Sequence, residues 1–275
     1  MRFELHCHST CSDGTEAPEQ VAARASERAV DVFALTDHDT CAGSAVQVGT
    51  ARVLRAVEIS CDEPDTGRTI HVLAYDRGGA AWSDLEQRLG DLRLARRNRM
   101  RMMAARLAQR GIRVDVEPMI AEAEQSGRTL GRPDLARLMV AAGAVNTIKD
   151  AFTRHLYDNG PVDVPHHALT LVDALALGRA AGAAMSLAHP HLYDQLGVAL
   201  LRKHRGDGLA GVEAFYGVYD VHERKRWVDV ANELGLVCTA GSDFHYAEDG
   251  MVPIGVDVDG DRGKQLYDWL FSSNS

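Results

Sequence analysis

Histidine and carboxylate side chains recur at the ends of apolar runs in this chain, and their types suit metal coordination. They are His6-Cys7-His8 with Asp13 close behind, Thr36-Asp37-His38-Asp39, Glu58, His71, Ala188-His189-Pro190 and Gly241-Ser242-Asp243-Phe244-His245. In extended backbone alternate residues share a face, so His6 and His8 can point the same way. Gathered at one mouth, six histidines (His6, His8, His38, His71, His189, His245) and three carboxylates (Asp13, Glu58, Asp243) would be unstable unless cations compensated them. Imidazole mixed with carboxylate suits Zn, Mn or Fe more than Ca or Mg, and no cysteine ligand is needed.

Seven apolar runs read as the strands that carry these residues, at 2–6, 31–35, 53–59, 69–75, 183–188, 211–215 and 236–239. Helical patterns lie between most of them, at 18–29, 169–181 and 221–234, the last closing on Gly235. Alternating strands and helices imply a parallel sheet with helices outside it, and seven units suggest a closed or nearly closed barrel. Parallel barrels build their sites at the C-terminal ends of the strands, where most of the motif residues fall. From 82 to 165 the alternation stops. Residues 82–113 hold nine arginines against Asp84, Glu86 and Asp91, in a chain whose net charge is −9. Leu85, Leu89, Leu92, Met103 and Leu107 form one apolar helical face, and further helices are expected at 118–125, 131–142 and 146–157. This stretch reads as a helical insertion. Its arginines fit either a solvated helix face or a basic lid over the barrel mouth.

The whole-chain figures set limits. A length of 275 residues, with 45% hydrophobic and 25% charged residues, is ordinary for a folded globular chain and excludes a mainly disordered or fibrous one. Net acidity argues against a broad nucleic-acid-binding surface. No apolar stretch is long enough to span a membrane and no targeting segment is expected. Five cysteines without CxxC spacing (Cys7, Cys11, Cys41, Cys61, Cys238) read as reduced thiols of a cytoplasmic protein.

The motif set resembles the PHP (polymerase and histidinol phosphatase) superfamily of metal-dependent phosphoesterases. The residues that carry the resemblance are His6-Cys7-His8-Ser9, Ser12-Asp13-Gly14, Thr36-Asp37-His38-Asp39, Glu58, His71, Ala188-His189-Pro190 and Gly241-Ser242-Asp243-Phe244-His245. The resemblance implies an α/β fold, a distorted (β/α)7 barrel related to amidohydrolases. The barrel would come in two parts, 1–81 and 166–275, around a helical insertion at 82–165. It also implies three divalent ions (Mn, Fe or Zn). The first would take His6, His8, Glu58 and Asp243. The second would share Glu58 and add His71 and His189, and the third would take Asp13, His38 and His245. So loaded, the site would carry roughly +3 and reverse the local field of an acidic protein.

The insertion resembles that of a subgroup acting on nucleotide 3′,5′-bisphosphates and on the 5′ ends of short RNA, through Arg96-Arg97-Asn98-Arg99, Thr129-Leu130-Gly131-Arg132-Pro133-Asp134 and Ala151-Phe152-Thr153-Arg154-His155-Leu156. Asp134 stands where that subgroup usually has His, and His191 where a small residue is common. The resemblance implies hydrolysis of a small phosphomonoester, with the 3′-phosphate of a nucleotide bisphosphate as first choice. The expected course is in-line attack by a hydroxide bridging two metals. Asp243 would orient the nucleophile and His191 or His245 would protonate the leaving oxygen. Arg99 and Arg132, with Asp134 beside them, are candidates to bind a second phosphate.

Exonuclease action on short RNA is the alternative, as is phosphatase action on histidinol phosphate or a cyclic sugar phosphate. No membrane contact and no stable nucleic-acid complex are expected. Asp37 and Asp39 are candidates to orient the ligating imidazoles, with a turn or cap role equally open for Asp39. Strand parity leaves the direction of Glu213 open. Tyr216 and Tyr219 read as a packed aromatic pair or as a platform for a base. His155, His166, His167, His204 and His222 read as surface or structural.

Overall fold

The structure is a computed structural model that describes residues 1–78, 82–165, 168–246 and 253–271. His166 and His167 lie outside the described residues. In chain order the elements are β1 (Arg2–Glu4), α1 (Pro18–Glu27), β2 (Val32–Leu35), β3 (Arg52–Glu63), β4 (Arg68–Tyr75), α2 (Trp82–Gln109), α3 (Glu117–Ser126), α4 (Arg132–Ala141), α5 (Ile148–Arg154), β5 (Leu169–Thr170), α6 (Leu171–Ala180), β6 (Ala184–Leu187), α7 (Gln195–His204), β7 (Leu209–Tyr216), α8 (Val221–Leu234), β8 (Val237–Gly241), β9 (Val256–Asp257) and α9 (Gly260–Phe271).

The sheet runs β8-β7-β6-β4-β3-β2-β1-β9, with β5 paired to β3. Just past β1, the Leu5 amide donates to Ala240 O at 3.1 Å and the Asp243 amide to His6 O at 2.7 Å. These bonds bring β8 beside β1, so the sheet nearly closes into a barrel. The expected all-parallel sheet needs correction. β4 is antiparallel to both β3 and β6, and β9 is antiparallel to β1. The cause is chain length: only residues 64–67 separate β3 from β4, and a parallel crossover needs a dozen or more. The two strands form a hairpin. Because β4 runs backwards, its early residue His71, opposite Ser60, reaches the same end as the last residues of its neighbours.

Strand residues are buried on both faces, as expected for a sheet wrapped by helices. α8 shows how local signals set the ends. The Asp220 carboxylate accepts from the His222 and Glu223 amides at 2.8 Å each, and Gly235 takes the left-handed conformation (φ 69°) that ends the helix.

Residues 82–165 contribute α2 to α5 and, among the described residues, no strand. α2 serves two cores. Trp82, Leu85, Leu89 and Leu92 pack into the apolar cluster of the barrel. Met100, Met103 and Leu107 pack into a separate cluster with Ile120, Leu135 and Leu156. The arginines of α2 are mostly neither idle nor simply solvated. Arg93 donates to Asp39 O at 2.9 Å, Arg96 pairs with the Asp39 carboxylate at 2.6 Å, and Arg101 pairs with Glu117 at 2.8 Å. No helix among the described residues is long and apolar enough to cross a membrane. All five cysteines are unbridged.

Candidate active site

The nine motif side chains meet at the mouth of the barrel. Glu58, fully surrounded near the middle of β3, is their hub. Its Oε2 lies 3.3 Å from His6 Nε2, 3.2 Å from His8 Nε2 and 3.1 Å from His38 Nδ1. Its Oε1 lies 3.0 Å from His71 Nδ1 and 3.1 Å from His189 Nε2. Asp243 Oδ1 faces the same His6 and His8 nitrogens at 3.3 and 3.2 Å. Asp13 lies beside His245 Nε2 at 3.3 Å and His38 Nε2 at 3.7 Å. Four overlapping sets are spaced to hold an ion: His8, Asp13, His38 and His245; His6, His8 and Glu58; His6, His189 and Asp243; and His38, Glu58 and His71. His8 and His38 thus each stand between neighbouring sets.

Two close approaches make this packing possible. A Cβ on Gly241 would come within 2.3 Å of the His6 Cβ, and one on Gly14 within 2.7 Å of the His8 carbonyl. Both positions must therefore be glycine. Asp37 holds the ligand loop by accepting from Ser9 N (2.8 Å), Ser9 Oγ (2.7 Å) and Ser12 Oγ (2.6 Å). Asp39, at φ 53°, accepts from Ser60 N at 2.9 Å as well as from Arg96, and so ties α2 to the loop that carries His38.

The electrostatics call for cations. His6 Nε2, His8 Nε2, His38 Nδ1 and Glu58 Oε2 are buried without a hydrogen-bond partner among the described residues. They lie within contact distance of opposite groups but without hydrogen-bond geometry, as donor atoms do when they converge on shared points. Each such atom costs about 1–3 kcal/mol, so four would consume much of a typical domain stability of about 5–15 kcal/mol. The set is imidazole nitrogen and carboxylate oxygen, which fits divalent Zn, Mn or Fe. Cys7 takes no part, since its Sγ turns toward Ala34 O.

Burial would push the Asp13, Glu58 and Asp243 carboxyls up, yet the histidines around them hold all three below the usual range. Burial would likewise push His8 down, but Asp243 and Glu58 carry it up to about 10. His38 differs: its burial outweighs its carboxylates and lowers it to about 4.

Two partners in this network were not legible as such. Glu213 is fully buried and turns inward, 2.9 Å from His6 Nδ1, and its other oxygen accepts from the His189 amide at 2.7 Å. It fixes the His6 tautomer that leaves Nε2 for a ligand role. Parity could not find it, because β7 is buried on both faces and its register with β8 shifts between Glu213 and Phe215. The signal available was a lone carboxylate in an apolar strand. The second partner is Tyr216, whose hydroxyl donates to Asp243 Oδ2 at 2.7 Å. Replacing Glu213 with Gln should weaken metal binding about tenfold to a hundredfold with little loss of fold. Metal titration of the stripped variant checks this, and unchanged affinity would remove Glu213 from the role.

The remaining candidates separate. His245 joins the cluster through Nε2, its Nδ1 donating to Asp243 O at 2.9 Å. His191 stands aside, with its ring 6.5 Å from that of His189. The Tyr219 hydroxyl accepts from the His191 amide at 3.2 Å and lies 2.9 Å from its Nδ1. Burial, then His189, lowers the His191 pKa. Tyr216 and Tyr219 are a packed pair, with ring centroids 5.1 Å apart. His204 is buried against Asp207, and His222 is exposed.

Beside the cluster lies a cavity of about 760 Å³ whose lining includes Asp13, His38 and His71 together with Arg96, Arg99 and Arg132. Thr129, 3% exposed, also lines it, and its hydroxyl has no hydrogen-bond partner among the described residues. Asp134 does not reach this cavity. Its carboxylate is taken by the Gly131 amide (2.8 Å), Arg128 (2.5 Å) and Arg137 (3.2 Å). Arg137 in turn donates to Asp13 O at 3.0 Å. Asp134 therefore braces the start of α4 against the ligand loop.

No family model matches the chain. It is 30% identical over 264 residues to the 3′,5′-nucleoside bisphosphate phosphatase of Chromobacterium violaceum, covering 92% of this chain and 90% of the relative. It is 30% identical over 263 residues to the phosphoribosyl 1,2-cyclic phosphate 1,2-diphosphodiesterase of Eggerthella lenta, covering 92% and 97%. It is also 30% identical over 274 residues to a 5′-3′ exoribonuclease of Haemophilus influenzae, covering 94% of each. A solved structure from Bifidobacterium adolescentis, provisionally named a metal-dependent phosphoesterase, superposes with a TM-score of 0.76 at 25% identity over 97% of this chain and 96% of its own.

Proposed function

The chain belongs to the PHP superfamily of metal-dependent phosphoesterases, and we propose that it removes the 3′-phosphate of a nucleotide 3′,5′-bisphosphate. The observation that carries this choice is the cavity that Arg99 and Arg132 line together with Asp13, His38 and His71 of the ligand cluster. One end of a substrate can place a phosphate at the cluster while the other places a second anion among the arginines. Guanidinium groups suit that second role because they donate in a fixed fork.

The residues that would hold three divalent ions (Mn, Fe or Zn) are His6, His8, Asp13, His38, Glu58, His71, His189, Asp243 and His245. When bound, such ions supply acidified water and neutralise charge on the phosphoryl oxygens. The protein's own groups do the rest. Asp243, braced by Tyr216, orients the attacking group, and Glu213 holds His6 in the required tautomer. His191, held through Nδ1, is the first candidate to give a proton to the leaving oxygen. His245 is the second candidate for that proton. We read the helical segment 82–165 as a lid subdomain inserted between barrel parts 1–81 and 166–275, in a cytoplasmic enzyme.

A screen of phosphate release from the Mn-loaded protein tests the proposal. It would compare nucleotide 3′,5′-bisphosphates with histidinol phosphate, cyclic sugar phosphates and 5′-phosphorylated oligoribonucleotides. Bisphosphates should show the highest kcat/KM. A preference for oligonucleotides would favour the second reading, which rests on the Haemophilus relative. The cavity argues for the shorter substrate, since Phe152 is the one Phe, Tyr or Trp among the described residues that line it and single-stranded tracks stack bases on several. Arg132→Ala should lower kcat/KM for the bisphosphate about tenfold to a hundredfold, the cost of losing a charged hydrogen-bond partner. Equal losses on phenyl phosphate would show that Arg132 does not touch the second phosphate.

A further inference from the structure

The two cavity arginines are not empty-handed. Arg99 Nη2 pairs with Asp163 Oδ1 at 3.0 Å, and Arg132 Nη1 pairs with Asp158 Oδ1 at 2.5 Å. Both carboxylates come from the short segment after α5, and both line the same cavity. The segment's backbone is held mainly by other bonds, although Asp163 Oδ2 also accepts from the Asn159 amide at 2.9 Å. Arg99 Nε donates to Val164 O at 2.6 Å, Arg106 donates to Asp163 O, and Arg132 donates to Leu156 O at 3.1 Å. The Asp158 carboxylate can therefore leave its arginine without unseating the chain, whereas Asp163 keeps a second tie, to the Asn159 amide. Asp158 is well placed to do so, because its side chain is 79% exposed. The guanidinium groups, by contrast, are partly buried, and burial followed by the nearness of Arg132 lowers the Arg99 pKa. Two close, half-desolvated cations keep their need for an anion whichever anion supplies it.

We propose that Asp158 and Asp163 are specificity-determining residues that occupy Arg132 and Arg99 until a second phosphate on the substrate displaces them. This rests on the reading of those arginines as a phosphate subsite. A terminal phosphate carries about two charges at neutral pH and offers three oxygens, so it can take both arginines at once, which neither carboxylate does alone. A substrate with a neutral group at that end has nothing to exchange for the carboxylates and leaves both pairs closed. The carboxylates thus set a threshold that a second anion crosses and a simple monoester does not.

The test is KM for adenosine 3′,5′-bisphosphate against KM for phenyl phosphate, measured on Mn-loaded wild type, Asp158→Asn and Arg132→Ala. Asp158→Asn should lower the bisphosphate KM about two- to fivefold, the range of an exposed ion pair, and lower its ratio to the phenyl phosphate KM by a similar factor. An unchanged or raised ratio in Asp158→Asn, with the ratio raised in Arg132→Ala, would overturn the role of Asp158 and leave the subsite standing. An unchanged ratio in Arg132→Ala would instead remove the subsite on which the inference rests. Adding Asp163→Asn to Asp158→Asn should lower the bisphosphate KM further, and a return toward the wild-type value would count against the inference.

Discussion

Asp243→Ala should reduce kcat by about a thousandfold or more while leaving the barrel folded. Losing one preorganised electrostatic group already costs about 10²–10³ in kcat, and Asp243 does two jobs. It faces the His6 and His8 nitrogens, and it receives the Tyr216 hydroxyl that fixes its orientation. The fold should survive because the tie between β1 and β8 at this point is a backbone bond, from the Asp243 amide to His6 O. Residue 243 sits at φ 55°, which disfavours alanine by about 1–2 kcal/mol. Asp243→Asn is the sharper probe, since asparagine tolerates that conformation yet cannot supply the negative charge. Phosphate release and circular dichroism on both variants check the expectation. A well-folded Asn variant with near wild-type turnover would take Asp243 out of the chemistry.

The same residue shows why so much of the site was legible in the sequence. Strands of a closed barrel are short apolar runs, and their ends are where polar residues can first meet. Ionisable residues at those ends therefore announce a shared mouth before any coordinates are known. What failed was information that pairing alone supplies. β5 and β9 are two residues long, below the length at which a pattern exists, and were not expected. The direction of β4 depended on the brevity of a loop rather than on strand composition. α7 and α9 were passed over. Asp158 and Asp163 look like ordinary surface acids until the fold sets them against arginines many residues away. Asp134 was expected near the substrate, because a sequence shows that a position differs but not which way its side chain faces.

Removing divalent ions should abolish phosphate release, and restoring Mn should recover it. This is the largest effect expected of any treatment, because the chemistry assigned to the site depends on acidified water and on charge neutralisation. The stripped protein should remain folded, with protons standing in for cations. Against burial, Asp243 and Glu58 hold His8 up to about 10, and Glu213, Asp243 and Glu58 hold His6 well above its usual value, whereas burial lowers His38 to about 4. At pH 7 the metal-free site thus keeps protons on His6 and His8, and ligation must expel them. Metal loading should release about two protons, and apparent affinity should fall by up to about a hundredfold for each unit the pH drops.

The sign for the metal-free fold follows. His8, with its pKa raised, stabilises fully below about 6.5 and loses that contribution as pH rises toward about 10. Glu58 and Asp243, with theirs lowered, stabilise above about 4 and lose that contribution in acid. Calorimetry of Mn binding in buffers of different ionisation enthalpy measures the proton count. Binding without proton release, or full turnover after exhaustive chelation, would contradict this account.

The double duty of α2 bears on how such enzymes diversify. Its first half belongs to the barrel and its second half to the helical segment, with no joint between them. The natural seam therefore lies ahead of Trp82, not where the arginines begin. Any recombination that trades one substrate preference for another must carry the whole helix, because a cut at its middle would strand Leu85 and Leu89 on one side and Met103 and Leu107 on the other. Heredity and the protein engineer face the same rule: the helical segment travels with a piece of the barrel wall.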